Sequence, residues 1–163
     1  MGDSNTQEII ENYIILNQNQ IYRLAFSYVH NKDDALDIVQ ESIYKAMAGK
    51  RSLHNSDSVR PWFYKIVVNT ALDFLRRKKR EAEPDENILL HGESAADDHY
   101  EDIDLKRALD SLPDLYRSIV VLRYFEDLTL EEIAGILNEN LSTVKTRLYK
   151  SLKLLRVEMS EAE

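Results

Sequence analysis

Two stretches of this chain combine aromatic, hydroxyl and cationic side chains in the pattern that contacts with nucleic acid need. In the first, Trp62, Lys65, Asn69, Asp73, Arg76 and Arg80 share one side of a helix, opposite Phe63, Val67, Thr70, Ala71 and Phe74. The polar side begins with an aromatic ring and ends in the run Arg76-Arg77-Lys78-Lys79-Arg80. A ring so placed can stack a displaced base while the cations hold phosphates. In the second stretch, Ser142, Thr143, Thr146, Lys150 and Lys153 lie opposite an apolar stripe of Val144, Leu148, Leu152 and Leu155, with Lys145 and Arg147 on the flanks. A face of hydroxyls and cations suits base edges and phosphates. A basic amphipathic helix on its own is usually just a solvated surface. Here a short capped helix and a tight turn precede it, and that favours the DNA reading. A third stretch is acidic: Asp37, Gln40, Glu41 and Tyr44 share a helical face that suits a basic partner helix.

Other chemistries lack their residues. There is no cysteine, so no disulfide, thiolate metal site or cysteine nucleophile is expected. No glycine-rich phosphate loop occurs. His30, His54, His91 and His99 stand apart, without metal-ligand spacing, and are expected at the surface. The densest carboxylate cluster falls in a segment too irregular to preorganise an acid–base pair. No catalytic constellation, cofactor or small-molecule substrate is expected. Met1-Gly2-Asp3-Ser4 shows no basic region before an apolar stretch, and no apolar run reaches the roughly 20 residues of a membrane helix.

The formal net charge of −8 hides a strong asymmetry. Residues 60–80 carry a net +6 and residues 81–105 a net −10, so one short acidic segment exceeds the total. Local potential decides whether phosphate can approach. The acidic segment holds Pro84, Gly92 and scattered small polar residues, which read as a solvated linker.

The elements that must position these residues are all helical. The first helix is predicted over Thr6–Tyr28, and Asn31–Asp34 breaks it and caps the second, which runs from Ala35 to Ala46. Gly49 is expected to close the second helix in a left-handed conformation. The third starts near Asp57 or Ser58, accepts Pro61 in its first turn, and runs to about Arg80. Beyond the linker, helices are predicted over Ile103–Leu112 and Asp114–Phe125. Thr129 and Glu132 then form a capping box for a short helix to Leu137. Asn138-Glu139-Asn140 makes the break, and the last helix spans about Leu141–Val157. The fold class is therefore all-α: two small helical domains joined by an acidic flexible linker.

With these motifs in place, the chain resembles a bacterial RNA polymerase sigma factor of the extracytoplasmic-function (ECF) subfamily of the sigma-70 family. Three stretches carry the resemblance. Asp34-Ala35-Leu36-Asp37-Ile38-Val39-Gln40-Glu41-Ser42 is similar to the family's core-binding helix, except that Leu36 stands where an acidic residue is usual. Trp62 through Arg77 looks like the segment that recognises and opens the −10 promoter element. Leu112-Pro113, Leu122 through Ala134 and Thr143 through Leu148 resemble the domain that reads the −35 element. In its turn, Asn138 and Glu139 replace a glycine and an apolar residue.

The resemblance implies a sigma-2 domain of three to four helices over 6–80, a linker over 81–100, and a sigma-4 domain over 101–158 with its helix-turn-helix at about 129–155. It implies polymerase binding by Asp37, Ile38, Gln40, Glu41 and Tyr44. It places −10 DNA on Arg60, Trp62, Lys65, Asn69, Asp73, Arg76 and Arg77. It places −35 DNA on Ser142, Thr143, Lys145, Thr146, Arg147 and Lys150. Opening a duplex must offset unstacking, a few kcal/mol per step. The partners so implied are core RNA polymerase (the clamp coiled coil of its largest subunit, and its flap), promoter DNA, and an anti-sigma factor of a kind often membrane-anchored. The implied setting is the cytoplasm and the implied regulon one of stress or envelope genes. The alternative is a stand-alone helix-turn-helix regulator, which needs a dimer to span two half-sites, and no dimerisation segment is evident.

Overall fold

The computed structural model describes residues 3–81, 105 and 107–162. The chain divides into two compact units, residues 1–82 and 83–163. Among the described residues the regular structure is helical throughout, with no strand.

The first unit contains α1 (Asp3–Leu16), α2 (Gln18–Val29), α3 (Lys32–Ala48) and α4 (Val59–Glu81). The single helix predicted over Thr6–Tyr28 is thus two. At Asn17 the side-chain Nδ2 donates to the Tyr13 carbonyl at 2.8 Å, and the backbone N–H is shared between the Tyr13 and Ile14 carbonyls. A short amide side chain competing for helix carbonyls ends a helix that periodicity alone would continue. α2 closes on His30, which is left-handed at φ 53° and donates its N–H to the Phe26 carbonyl. Asn31 then caps α3, its side chain accepting from the Asp34 N–H at 2.9 Å.

Gly49 ends α3 but is not left-handed, since its φ is −103°. A Cβ there would lie 3.2 Å from the Lys45 carbonyl oxygen, so close backbone approach is what the glycine provides. A 3-10 turn over Lys50–Ser52 and another over Ser56–Ser58 lead into α4, and Pro61 sits in the first turn of α4 as expected. α2, α3 and α4 pack on one another around Ile21, Leu24, Ile38, Phe63, Tyr64 and Val67, and α1 adds Ile10. Tyr13 meets the Phe63 ring edge-on at 5.9 Å. Phe74, expected in the core, is only half-buried. Phe63 is fully buried, so Phe63→Ala is expected to cost about 3–5 kcal/mol. Chemical denaturation of the full chain, followed by circular dichroism, checks this.

In the second unit, residues 107–110 are helical and lead through Leu112-Pro113 into α5 (Asp114–Val120). The rest of the helix predicted over Ile103–Leu112, apart from Leu105, lies outside the described residues up to 106. α5 widens into a π turn over Val121–Phe125, where the Glu126 N–H reaches the Val121 carbonyl. Asp127 then takes a positive φ of 60°, and Arg123 donates to the Leu128 carbonyl at 3.0 Å. α6 (Leu130–Leu137) and α7 (Leu141–Ala162) follow. The capping box is present in both directions: Thr129 accepts from the Glu132 N–H, and Glu132 accepts from the Thr129 N–H at 2.9 Å. Asn138 closes α6 at φ 58°, in the left-handed region expected of it.

The buried seam of α7 is Val144, Leu148, Ser151 and Leu155. Leu152, expected in that seam, is half-buried. Ser151 takes its place because its hydroxyl donates to the Arg147 carbonyl at 2.7 Å and so needs no partner across the interface. Of the four histidines, His30 and His54 are exposed, as expected, and His91 and His99 lie outside the described residues. The same holds for the acidic linker beyond Glu81.

Candidate nucleic-acid interface

α4 places the expected −10 residues unequally. Lys65, Asn69, Asp73 and Arg76 line up along one exposed face, with Trp62 at its start. Asp73 and Arg76 pair at 3.0 Å with both side chains more than half exposed. Such a surface pair contributes about 0–1 kcal/mol, so the guanidinium can exchange it for a phosphate. Arg77 turns toward α3 instead: it stands 3.8 Å from Glu41 and over the Phe74 ring. Arg60 is half-buried and lies over the Tyr64 ring at 5.4 Å. Lys78 is tied to Asp34 at 2.7 Å, which leaves Lys79 and Arg80 as the exposed end of the basic run.

Trp62 is neither a freely exposed ring nor a core residue. It is half-buried, and its Nε1–H donates to the Ser52 hydroxyl at 2.8 Å. The turn before α4 is therefore part of this face. Ser52 carried no motif signal, because its role depends on where Trp62 comes to lie.

On α3, Asp37 and Gln40 are exposed and Tyr44 is 74% exposed. Ile38, expected on the docking surface, is 1% exposed and belongs to the core. It lies a third of a turn from Asp37, on the inward side that the period of the helix assigns it. Glu41 is flanked by Lys45 at 3.1 Å and Arg77 at 3.8 Å, so of Asp37 and Glu41 it is Asp37 that faces solvent without an ion pair. Leu36, 43% exposed, adds an apolar contact beside it.

On α7, Ser142, Lys145, Thr146 and Lys150 are exposed, while Thr143 and Arg147 are half-buried. Arg147 is not spread toward solvent, for its guanidinium stands 3.6 Å from Glu139. The residue that replaces an apolar anchor in the turn is thus joined to α7 by charge. Sequence reasoning missed Tyr149, which is 74% exposed and lies at helical spacing from Ser142, Lys145 and Thr146, in the middle of the outward face. That spacing was available in the sequence.

Among the described residues no cluster of His, Cys, Asp or Glu could hold a metal ion, and no helix is long and apolar enough to cross a membrane.

A four-helix unit with an aromatic and basic face, and a second unit built on a capped helix-turn-helix, together define a two-part DNA-binding transcription factor. Residues 14–81 match the sigma-70 region 2 family and residues 102–155 the sigma-70 region 4 family. The chain is 49% identical to RNA polymerase sigma factor SigV of Bacillus subtilis (strain 168), across 97% of this chain and 95% of that one. It is 30% identical to the ECF RNA polymerase sigma-E factor of Haemophilus influenzae, covering 85% of this chain and 80% of that one. In fold it is similar to the sigma factor RpoE solved in complex with the anti-sigma factor NepR from Bartonella quintana. The TM-score is 0.78 at 22% identity, over 92% of this chain and 96% of that one. The chain belongs to the sigma-70 family and is an RNA polymerase sigma factor of the ECF type. It is a transcription initiation factor.

Proposed function

We propose that the three exposed faces divide the work of initiation among them. Residues 6–80 act as the sigma-2 domain and residues 101–158 as the sigma-4 domain, with 81–100 as the acidic linker between them. The α3 surface centred on Asp37, Gln40 and Tyr44 docks on the clamp coiled coil of core RNA polymerase. The α4 face from Trp62 through Lys65, Asn69 and Arg76 opens and holds the −10 strand. α7 enters the major groove at the −35 element with Ser142, Lys145, Thr146 and Lys150, while Thr143 and Arg147 stand at the edge of that contact. The observation that carries this reading is the α4 face, where one aromatic and a row of exposed polar and cationic residues follow each other along a single helix.

Two modest contacts joined by a linker act as one strong one through effective concentration. The same logic makes the chain a dissociable specificity subunit without catalytic chemistry or cofactor, working in the cytoplasm. A protein of the anti-sigma kind, such as the one bound by its fold relative from Bartonella quintana, is the proposed regulator.

The direct test is transcription by purified core RNA polymerase on pooled genomic fragments, with and without this chain, mapping transcript 5′ ends. New start sites sharing two spaced upstream motifs are expected. No new starts, with polymerase active on another sigma factor, overturns the reading. Lys65→Ala is expected to weaken promoter opening about three- to tenfold, the range one hydrogen bond spans, while polymerase binding is unchanged. Equal loss of both counts against a DNA role for this face.

A further inference from the structure

The turn that precedes α4 does more than connect. Its backbone is held at several points: the Ser52 N–H donates to the Gly49 carbonyl at 2.9 Å, the Leu53 N–H donates to the Lys50 carbonyl at 3.1 Å, and Leu53 is 7% exposed. The Ser52 hydroxyl is directed as well as placed. It donates to the Gly49 carbonyl at 2.8 Å and accepts from Trp62 Nε1 at 2.8 Å. An indole N–H can only donate, so Ser52 supplies what the ring needs, and the hydroxyl's own proton is committed elsewhere. The chain of contacts runs from the end of α3 to the first turn of α4: Gly49, Ser52, Trp62.

We infer that Ser52 is a positioning residue for Trp62: its hydroxyl holds the indole in one orientation before DNA arrives, so that the ring meets a displaced base already ordered. This rests on the proposed role of Trp62 at the −10 strand. Ordering a side chain in advance removes a cost that binding otherwise bears. The Ser52 hydroxyl touches the indole N–H edge and leaves the ring faces to others, which is what stacking requires. Exposure of the contact keeps its effect moderate.

Trp62 is the sole tryptophan of the chain, so intrinsic fluorescence reports its surroundings directly. Ser52→Ala is expected to raise the mobility of Trp62, seen as lower fluorescence anisotropy and a red-shifted emission in the full chain. With core RNA polymerase, Ser52→Ala is expected to lower open-complex formation about three- to tenfold, the range one hydrogen bond spans. Ser52→Thr keeps the hydroxyl and is expected to restore both readings.

A structural role for Ser52 in the turn alone is separated by a double-mutant cycle. Trp62→Phe keeps an aromatic ring but removes the N–H. If Ser52 acts through Trp62, Ser52→Ala adds nothing in that background. An undiminished Ser52→Ala defect on Trp62→Phe overturns the inference, as does an unchanged anisotropy and opening in the single variant. Failure of the underlying reading looks different: there Trp62→Ala itself leaves opening intact, whatever Ser52 does to the fluorescence.

Discussion

Asp37→Arg is expected to abolish binding to core RNA polymerase while leaving the fold untouched. Asp37 is exposed on α3, and its near neighbour in charge, Glu41, is already engaged by Lys45 and Arg77. The negative potential that a basic partner helix would meet therefore comes from Asp37 more than from Glu41, with Asp33 exposed one turn before it. Reversal replaces an attraction by a like-charge contact, which at an interface costs several kcal/mol. The expected loss is at least about a hundredfold, or ~2.7 kcal/mol. Titration of fluorescently labelled chain with core polymerase measures it, and an unchanged thermal transition shows that the variant is folded. Glu41→Arg is the poorer probe, because it sets three cations side by side and disturbs the α3–α4 contact as well. Binding retained by Asp37→Arg removes this helix from the docking surface.

Trp62→Ala is expected to leave polymerase binding intact and to suppress opening of a duplex promoter. Stacking of one base on an aromatic side chain contributes about 1–3 kcal/mol, and opening must offset unstacking of similar size. Removal of the ring is therefore expected to lower open-complex formation about five- to hundredfold. A template already melted across the −10 element bypasses the opening step, so much of the activity should return on it. Potassium permanganate footprinting on duplex and premelted templates reads both outcomes. Undiminished opening on duplex DNA with Trp62→Ala removes the ring from the mechanism.

Much of the architecture was legible because it rests on interactions within a few residues of sequence. The reciprocal bonds of Thr129 and Glu132 and the Asn31 cap on α3 depend on neighbours three positions away. The left-handed Asn138 depends on backbone preference alone. The 3.6-residue period separates Phe63, Val67 and Ala71 from Lys65, Asn69 and Asp73 on α4, and the structure buries the first set and exposes the second. Sequence similarly placed the exposed hydroxyls and cations of α7, because periodicity needs no knowledge of the neighbouring helix.

The rest depended on alternatives of similar energy between which only packing chooses. The Asn17 side chain and its own backbone N–H compete for the carbonyls of the same turn of helix, and the break into α1 and α2 follows from where each must pack. A polar Ser151 enters the buried seam ahead of Leu152 because its hydroxyl is satisfied within its own helix. Arg147 finds Glu139 across the turn, and Arg77 finds Glu41 on another helix, so two cations that the family resemblance assigned to DNA are partly engaged within the protein. Trp62 finds Ser52, ten residues earlier and in a different element. Local preferences and helical period were enough to separate the polar faces from the apolar ones and to mark the caps at Asn31 and Thr129. The tertiary structure alone decided which charges on those faces stay unpaired and how the one tryptophan is held, since both depend on distances between segments that local preferences do not set.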